Sequence, residues 1–399
     1  MRKLVMAVNA GSSSIKFKLY EIKNERVILS GIVDRIGHND AIFKMNFNGE
    51  ERKAILPVKN HEIGVDLILE KLVEFKIVES IEEIQGVGHR IVQGGKYFQD
   101  SAVLNKDTED KIEALIPLAP LHNAAHLVGF RAFKKALPKL GNVAVFDTAF
   151  HQTMEEQDFL YPIPYEYYQK HDIRRYGAHG TSHKYLAEEA AKLMSEVKHP
   201  RVITCHIGSG SSLCAVNDGV CVATSMGLTP LGGVMMGTRT GDIDPSVMFF
   251  ACQEEGKDVK EMYQIFNKKS GLLGISGVSN DTRDIEDAAL KGNKRAILAQ
   301  KMFARRVADF IGQYFVRLGG ADMIVFSAGI GENAPIYRKL IVDQIKEALG
   351  VEIDEELNSK VRGKLAVLST PKSKIRVSVI PTDEELMILR DTVRLLNLK

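Results

Sequence analysis

The sequence predicts an α/β protein built from two duplicated domains facing across a cleft, and three observations predict it. β-Branched apolar runs alternate with helix-patterned segments along the whole chain. A glycine and serine turn flanked by strands, VNAGSSSIKFKLY at residues 8–20, is echoed by CHIGSGSSLCAV at residues 205–216. The third is length: 399 residues exceed what one ordinary hydrophobic core serves. Aligning VMAVNAGS (5–12) with VITCHIGS (202–209) keeps the apolar positions and the glycine in register.

Taken in order, LVMAV, IKFKLYEI and RVILSGIV read as a meander of short strands, with Gly11 and the serine run as its first tight turn. HEIGVDLILEKLVEF has apolar residues at helical spacing, and IQGVGHRIVQGG returns to strand. DKIEALIPLAPLHNAAHLVGFRAFKKAL is helix, proline-rich break and helix, while NVAVFDTAFH is a buried strand that ends on an acid. The grammar then repeats. RVITCHIGSGSSLCAVNDGVCVAT gives three strands and two turns, and DMIVFSAGIGENAP is a strand entering a glycine-rich turn at a helix start. KIRVSVIPTDEELMILRDTVRLL is a last strand and a last helix. On this reading one domain holds residues 1–149 and 384–399, the other residues 150–383.

Basic and acidic residues nearly balance, 53 against 51, which gives no reason to expect a nucleic-acid or membrane-surface partner. Cys205, Cys214, Cys221 and Cys252 contain no C-x-x-C pair, and three lie in apolar β-rich sequence, as small hydrophobes in a reducing cytoplasm would. The apolar stretch before Asn9 is too short for a signal peptide, and no apolar run reaches the roughly 18 residues of a membrane span.

Several residues carry candidate chemistry. In the first turn, small residues admit close backbone approach, serine hydroxyls suit phosphate oxygens and Lys16 adds charge; a plain polar hairpin tip is the alternative. The motif G-x-x-x-x-G-K-[ST] is absent, so this is no ordinary P-loop. Arg90 lies in the apolar GHRIVQGG and Arg239 among the glycines of MMGTRTGDIDP. A guanidinium in such surroundings needs an anion, either a ligand or an ion-pair partner within the protein. Asp147 ends a buried strand, where open α/β sheets keep catalytic groups, or else it caps a helix. His179 and His183 have the spacing of a zinc helix, but Gly180 argues against a regular helix there and for His179 as a donor to a transferring group. His122 sits in a similar loop. Gly329 and Gly331 would let a base or ribose lie on backbone, and Asp281 reads as a helix cap with Arg283 reaching a ribose or phosphate. Glu384 and Glu385 open the final helix, where its dipole favours them.

In order, VNAGSSSIKF, GHRIVQGG, PLAPLHN, VFDTAFHQT, RRYGAHGTSH, TSMGLTPLGGVMMGTRTGDIDP, NKKSGLLGISG, AGIGEN and PTDEEL resemble the motifs of the acetate kinase family from end to end. The resemblance implies the duplicated actin-like (ribonuclease H-like) core shared by sugar kinases, heat-shock chaperones and actin. It implies a homodimer that reversibly transfers the γ-phosphoryl group of ATP to acetate, giving acetyl phosphate and ADP, with magnesium or, in its place, manganese. By the same resemblance Asn9, Ser12, Ser14 and Lys16 line a first phosphate loop, and His206, Gly208, Ser209 and Gly210 a second. Arg90 and Arg239 would hold the carboxylate and the phosphoryl group, with Asp147 near the attacking carboxylate, His179 on the phosphoryl and His122 close by. Asn9 and Glu384 would serve magnesium. Asp281, Thr282, Arg283, Gly329, Ile330, Gly331, Glu332 and Asn333 would bind the nucleoside, and Arg90, Val92, Leu121, Ala178 and Pro230 the acyl group.

Three positions depart from the family pattern: Ser209 replaces an asparagine, Gln93 a histidine, and Ala178 a phenylalanine. The last predicts a roomier acyl pocket, where each extra buried methylene contributes about 0.8 kcal/mol. A kinase for propionate or another short-chain carboxylate is therefore the nearest alternative. The more distant one is an actin-like or chaperone-like ATPase whose nucleotide drives partner binding.

Overall fold

Strand β1, Leu4–Ala10, is apolar on both faces, as a central strand covered on both sides must be. Leu4, Met6 and Val8 pack with Val65, Ile68 and Leu72 of the helix His61–Glu74 and Phe133 of the helix Asn123–Ala136. Val5 and Ala7 face Ile388 and Leu389 of the helix Glu384–Leu395. In this computed structural model residues 2–120 and 122–398 are described, and the chain forms two compact units, residues 1–150 with 383–399 and residues 151–382.

The first unit holds β1, β2 (Ser14–Glu21), β3 (Arg26–Asp34), β4 (Ala41–Phe47), β5 (Glu50–Leu56), β6 (Ile84–Ile91), β7 (Ala102–Val103) and β8 (Gly141–Phe146) in the order β5-β4-β3-β2-β1-β6-β8-β7. The second holds β9 (Arg201–Ile207), β10 (Ser211–Asn217), β11 (Val220–Thr224), β12 (Met323–Ser327), β13 (Ala366–Val367) and β14 (Arg376–Val379) in the order β11-β10-β9-β12-β14-β13. Each sheet repeats one plan. An antiparallel meander starts at the central strand, β1 or β9, whose other edge pairs in parallel with β6 or β12, and these pair in parallel with β8 or β14. β1 and β9 each begin one residue before Val5 and Val202, so the aligned turns occupy equivalent places. This is the duplicated α/β fold.

The hairpin β4–β5 escaped the sequence reading. Its turn is Asn48-Gly49 with φ of 51° and 80°, the left-handed pair a two-residue hairpin requires. β5 is exposed along nearly its whole length and carries Glu50, Glu51, Arg52 and Lys53, charges that keep an edge strand from pairing further. Among the described residues no helix is long and apolar enough to cross a membrane.

Candidate active site

In the first unit the parallel strands β1, β6 and β8 deliver Asn9, Arg90 and Asp147 at their carboxyl ends, where open α/β sheets place ligands. The amide of Asp147 still donates to the Ile91 carbonyl (2.9 Å), so the residue is held as one more step of the strand. Its carboxylate accepts a two-pronged contact from Arg90, Nε to Oδ1 at 3.0 Å and Nη2 to Oδ2 at 2.6 Å, and caps no helix. Asp147 is 1% exposed and the Arg90 side chain 23%, so the pair closes on its inner side and keeps one open edge. Burial opposes the charge on Arg90, and Asp147 overcomes it, holding the guanidinium protonated.

Glu384 opens the helix Glu384–Leu395, but the cap is Asp383, which accepts from the Leu386 amide at 3.1 Å. That leaves the Glu384 carboxyl free of capping duty. Its Oε1 is buried and no hydrogen bond reaches it. Burial raises this carboxyl to about 7; Arg90 opposes the rise and Asp147 adds to it. Asn9 stands on the β1 face of Val5 and Ala7, the face this helix covers. An unsatisfied carboxylate oxygen and an amide oxygen form the hard donor set that magnesium prefers, so these residues fit the implied ion.

The first turn is closed by the Gly11 amide on the Ser14 carbonyl (2.8 Å). Ser12 and Lys16 are exposed, Ser14 is half-buried, and Lys16 pairs with Asn9 across the β1–β2 ladder. Val92 is buried, and Leu121 lies outside the described residues. Gln93 serves its own loop: its side-chain oxygen accepts from the Gly95 amide (2.9 Å), and Asn123 clamps its backbone. His122 is exposed, whereas His126, four residues on, is buried. His126 Nδ1 meets the Ala10 carbonyl at 2.8 Å, and Nε2 is buried without a partner. Burial, reinforced by Arg90, holds this imidazole neutral down to about 4.

In the second unit β9 runs into Gly208–Ser209–Gly210. A Cβ on Gly210 would lie 3.4 Å from Arg239 Nη1 and 3.6 Å from His179 Cε1, so both side chains converge on this turn. His179 adopts a left-handed backbone (φ 57°) at the start of the helix Gly180–Leu193. That corrects the expectation drawn from Gly180: the helix is regular and begins at the glycine. The zinc spacing of His179 and His183 nevertheless holds no metal set, because His183 contacts Thr204 Oγ1 (2.7 Å) and Ser212 Oγ (2.8 Å) with its two nitrogens. His179 Nδ1 shares Ser212 Oγ at 2.9 Å, and its ring stacks on His206 at 4.1 Å. His206 Nδ1 meets Ser182 Oγ at 2.8 Å.

Arg239 differs from Arg90. It donates to the Pro230 carbonyl (3.1 Å), touches Met236 Sδ, and forms no ion pair among the described residues. Burial pulls its pKa down with no carboxylate to oppose it. Ala178 is buried with Met226 and Met236 in a small apolar cluster, and Met236 connects that cluster to Arg239.

Beside the second turn lies a cavity of about 400 Å³ lined by Gly208, Ser209, Asn280, Asp281, Thr282, Arg283, Gly329, Ile330, Asn333 and Ala334. Asn280 and Ala334 were not foreseen. Gly331 and Glu332 do not line it. Gly331 lets its helix pack against the sheet, since a Cβ there would lie 3.3 Å from the Phe326 carbonyl carbon. Glu332 turns inward, accepting from the amides of Ala328 (2.8 Å) and Thr382 (3.1 Å). Asp281 caps the helix Thr282–Leu290 and pairs with Arg283, which holds its carboxyl down at about 2. Arg338, fully buried, donates to the carbonyls of Gly331, Asn358 and Val361 and fixes the helix that carries Gly329. Nothing in the helical pattern around PIYRKL marks that arginine as internal.

The model of the acetokinase family matches residues 4–390. The chain belongs to the acetokinase family. It is 52% identical to an acetate kinase of Anoxybacillus flavithermus over 99% of both chains. Among solved structures it resembles an acetate kinase of Porphyromonas gingivalis, with TM-score 0.94 and 43% identity over 99% of this chain and 100% of that one. It also resembles a propionate kinase of Francisella tularensis, with TM-score 0.92 and 41% identity over 98% of this chain and 100% of that one. Family membership fits two units built on one sub-fold, each ending its central strand in a small-residue turn.

Proposed function

We propose that the protein transfers the γ-phosphoryl group of ATP to acetate, reversibly, giving acetyl phosphate and ADP. The observation that carries this reading is Arg239: a half-buried guanidinium without an acidic partner among the described residues, set against His179 and the Gly208–Gly210 turn. Such a site gains stability from an anion, and a phosphoryl group in transfer supplies one. A pure nucleotide switch has no need of a second anion site.

Acetate is already a nucleophile at neutral pH, so the barrier is mainly repulsion between two anions, and positioning with positive charge is the work required. Arg90, oriented by Asp147, offers its open edge to the acetate carboxylate. Arg239 and His179 receive the phosphoryl oxygens, and the cavity beside Ser209 takes the nucleoside. Asn9 and Glu384 would hold magnesium, which neutralises polyphosphate charge when bound. Ser12, Ser14 and Lys16 add donors from the first turn. Free, buried Cys205, Cys214 and Cys221 suit a reducing cytoplasm.

A homodimer is part of the proposal. The helix Pro245–Glu255 has no buried residue and exposes Phe249 (66%) and Phe250 (64%), with Val259 (63%) beyond it, a surface that an identical subunit would cover. Replacing both phenylalanines with serine should convert a dimer to a monomer in light scattering.

The test of the reaction is trapping of acyl phosphate as hydroxamate, with acetate and propionate run side by side. Acetate should give the higher kcat/KM. Propionate is a second reading because of Ala178: Met226 and Met236 occupy the space beside it, and their flexible thioethers can yield to one more methylene. ATP hydrolysis without acyl phosphate would overturn both.

A further inference from the structure

We propose that His151, Cys214 and Cys221 form a binding site for one soft, thiophilic metal ion within the second unit. The two cysteines lie on neighbouring antiparallel strands, β10 and β11, where a register shift between Ala215 and Val216 brings the sulfur atoms to 3.3 Å. His151 Nδ1 stands 3.3 Å from Cys221 Sγ and 4.0 Å from Cys214 Sγ. All three side chains are buried.

Three features make this more than a hydrophobic contact. The first is the tautomer. His151 Nε2 faces the Ala178 carbonyl at 3.0 Å and must donate its proton there, so Nδ1 presents a lone pair to the sulfurs. A backbone carbonyl on the far nitrogen is the usual support of a metal-bound imidazole. The second is size. With those three separations, a single point lies about 2.1 Å from all three donor atoms, close to Zn–N bonds of 2.0–2.1 Å and Zn–S bonds near 2.3 Å. The third is donor chemistry: two sulfurs and an imidazole select Zn²⁺ or Cu⁺ and disfavour magnesium or calcium. Binding would deprotonate both thiols and release both protons. The ion would tie the β10–β11 hairpin to His151, whose other nitrogen holds the carbonyl of the residue preceding His179.

The test is titration of chelator-treated, reduced protein with Zn²⁺ and, anaerobically, with Cu⁺, read by metal content after desalting and by thermal melting. One ion per chain is expected, with a Tm rise that saturates at one equivalent; whichever ion survives competition by a weak chelator is the occupant. Co²⁺ should give sulfur-to-metal charge-transfer absorption. Cys214→Ser with Cys221→Ser should abolish binding, and Cys252→Ser should leave it intact. If the double variant does not fold, His151→Gln and the wild-type Co²⁺ spectrum decide. Substoichiometric metal, binding undiminished in the folded variants, or a Cys214–Cys221 disulfide that persists in reductant would each overturn the proposal.

Discussion

The two central-strand termini share one topology and opposite electrostatics. Around the end of β1 the first unit gathers carboxyl groups, Asp147 and Glu384, with Arg90 already engaged by Asp147. Around the end of β9 the second unit gathers imidazoles, a glycine turn and Arg239, with no carboxylate paired to that arginine among the described residues. A duplicated scaffold thus differs in what it places at equivalent strand ends: one end carries a paired carboxylate and an orphaned one, the other an arginine without an acidic partner among the described residues and stacked imidazoles.

The largest expected effect separates the two arginines. Arg239→Ala should lose roughly 10²–10³ in kcat, the usual cost of removing one preorganised donor, with little change in Tm because only the Pro230 carbonyl loses a donor and no buried charge is stranded. Arg90→Ala should lose at least as much turnover and also destabilise the fold by about 3–5 kcal/mol, since Asp147, 1% exposed, would keep a buried unpaired charge. Equal melting temperatures for the two variants would break the contrast.

Glu384→Gln comes next. The apparent affinity for Mg²⁺ should fall at least about tenfold, measured by isothermal titration with nucleotide present. Without metal, this carboxyl is raised from 4.5 to about 7, so the fold binds its proton more tightly than the unfolded chain does. Its burden on stability is therefore relieved as pH falls from 7 to 4.5 and is felt fully above 7. Metal-free Glu384→Gln should accordingly melt higher than wild type at pH 8 and no higher at pH 5.

Buried histidines act in the opposite sense. His89 and His126 stay neutral down to about 4, against 6.5 when unfolded, so the stability they contribute above pH 6.5 is lost as pH falls towards 4. Each adds about 1.4 kcal/mol per pH unit within that window. Chemical denaturation at pH 5 and 7 should show His89→Gln with the shallower dependence. The smallest effect belongs to Ser209→Asn, which restores reach in the second turn and should lower the KM for ATP about two- to tenfold, the worth of one net hydrogen bond, with kcat unchanged.

What could be read from the chain varies by residue. Arg90, Asp147 and Arg239 were legible because charge in an apolar or glycine-rich run is costly and so conspicuous. His126 was not, because a histidine at helical spacing looks like any core or surface position until the helix Asn123–Ala136 is laid on β1. That Glu332 accepts from the distant Thr382 amide, and that Arg338 is internal, depends likewise on packing. A side chain's partners depend on segments distant in the chain, which no local pattern contains.

By itself the sequence determined the α/β class, the repeated strand and turn grammar, the family and the charged residues that chemistry requires, because hydrophobic periodicity and motif order are local properties. Tertiary structure alone decided that Arg90 is paired while Arg239 is not, that Glu384 carries an orphaned oxygen, and that His151 meets two cysteines that sequence spacing never suggested. Those are facts of burial and distance, and they exist only once strands far apart in the chain lie side by side.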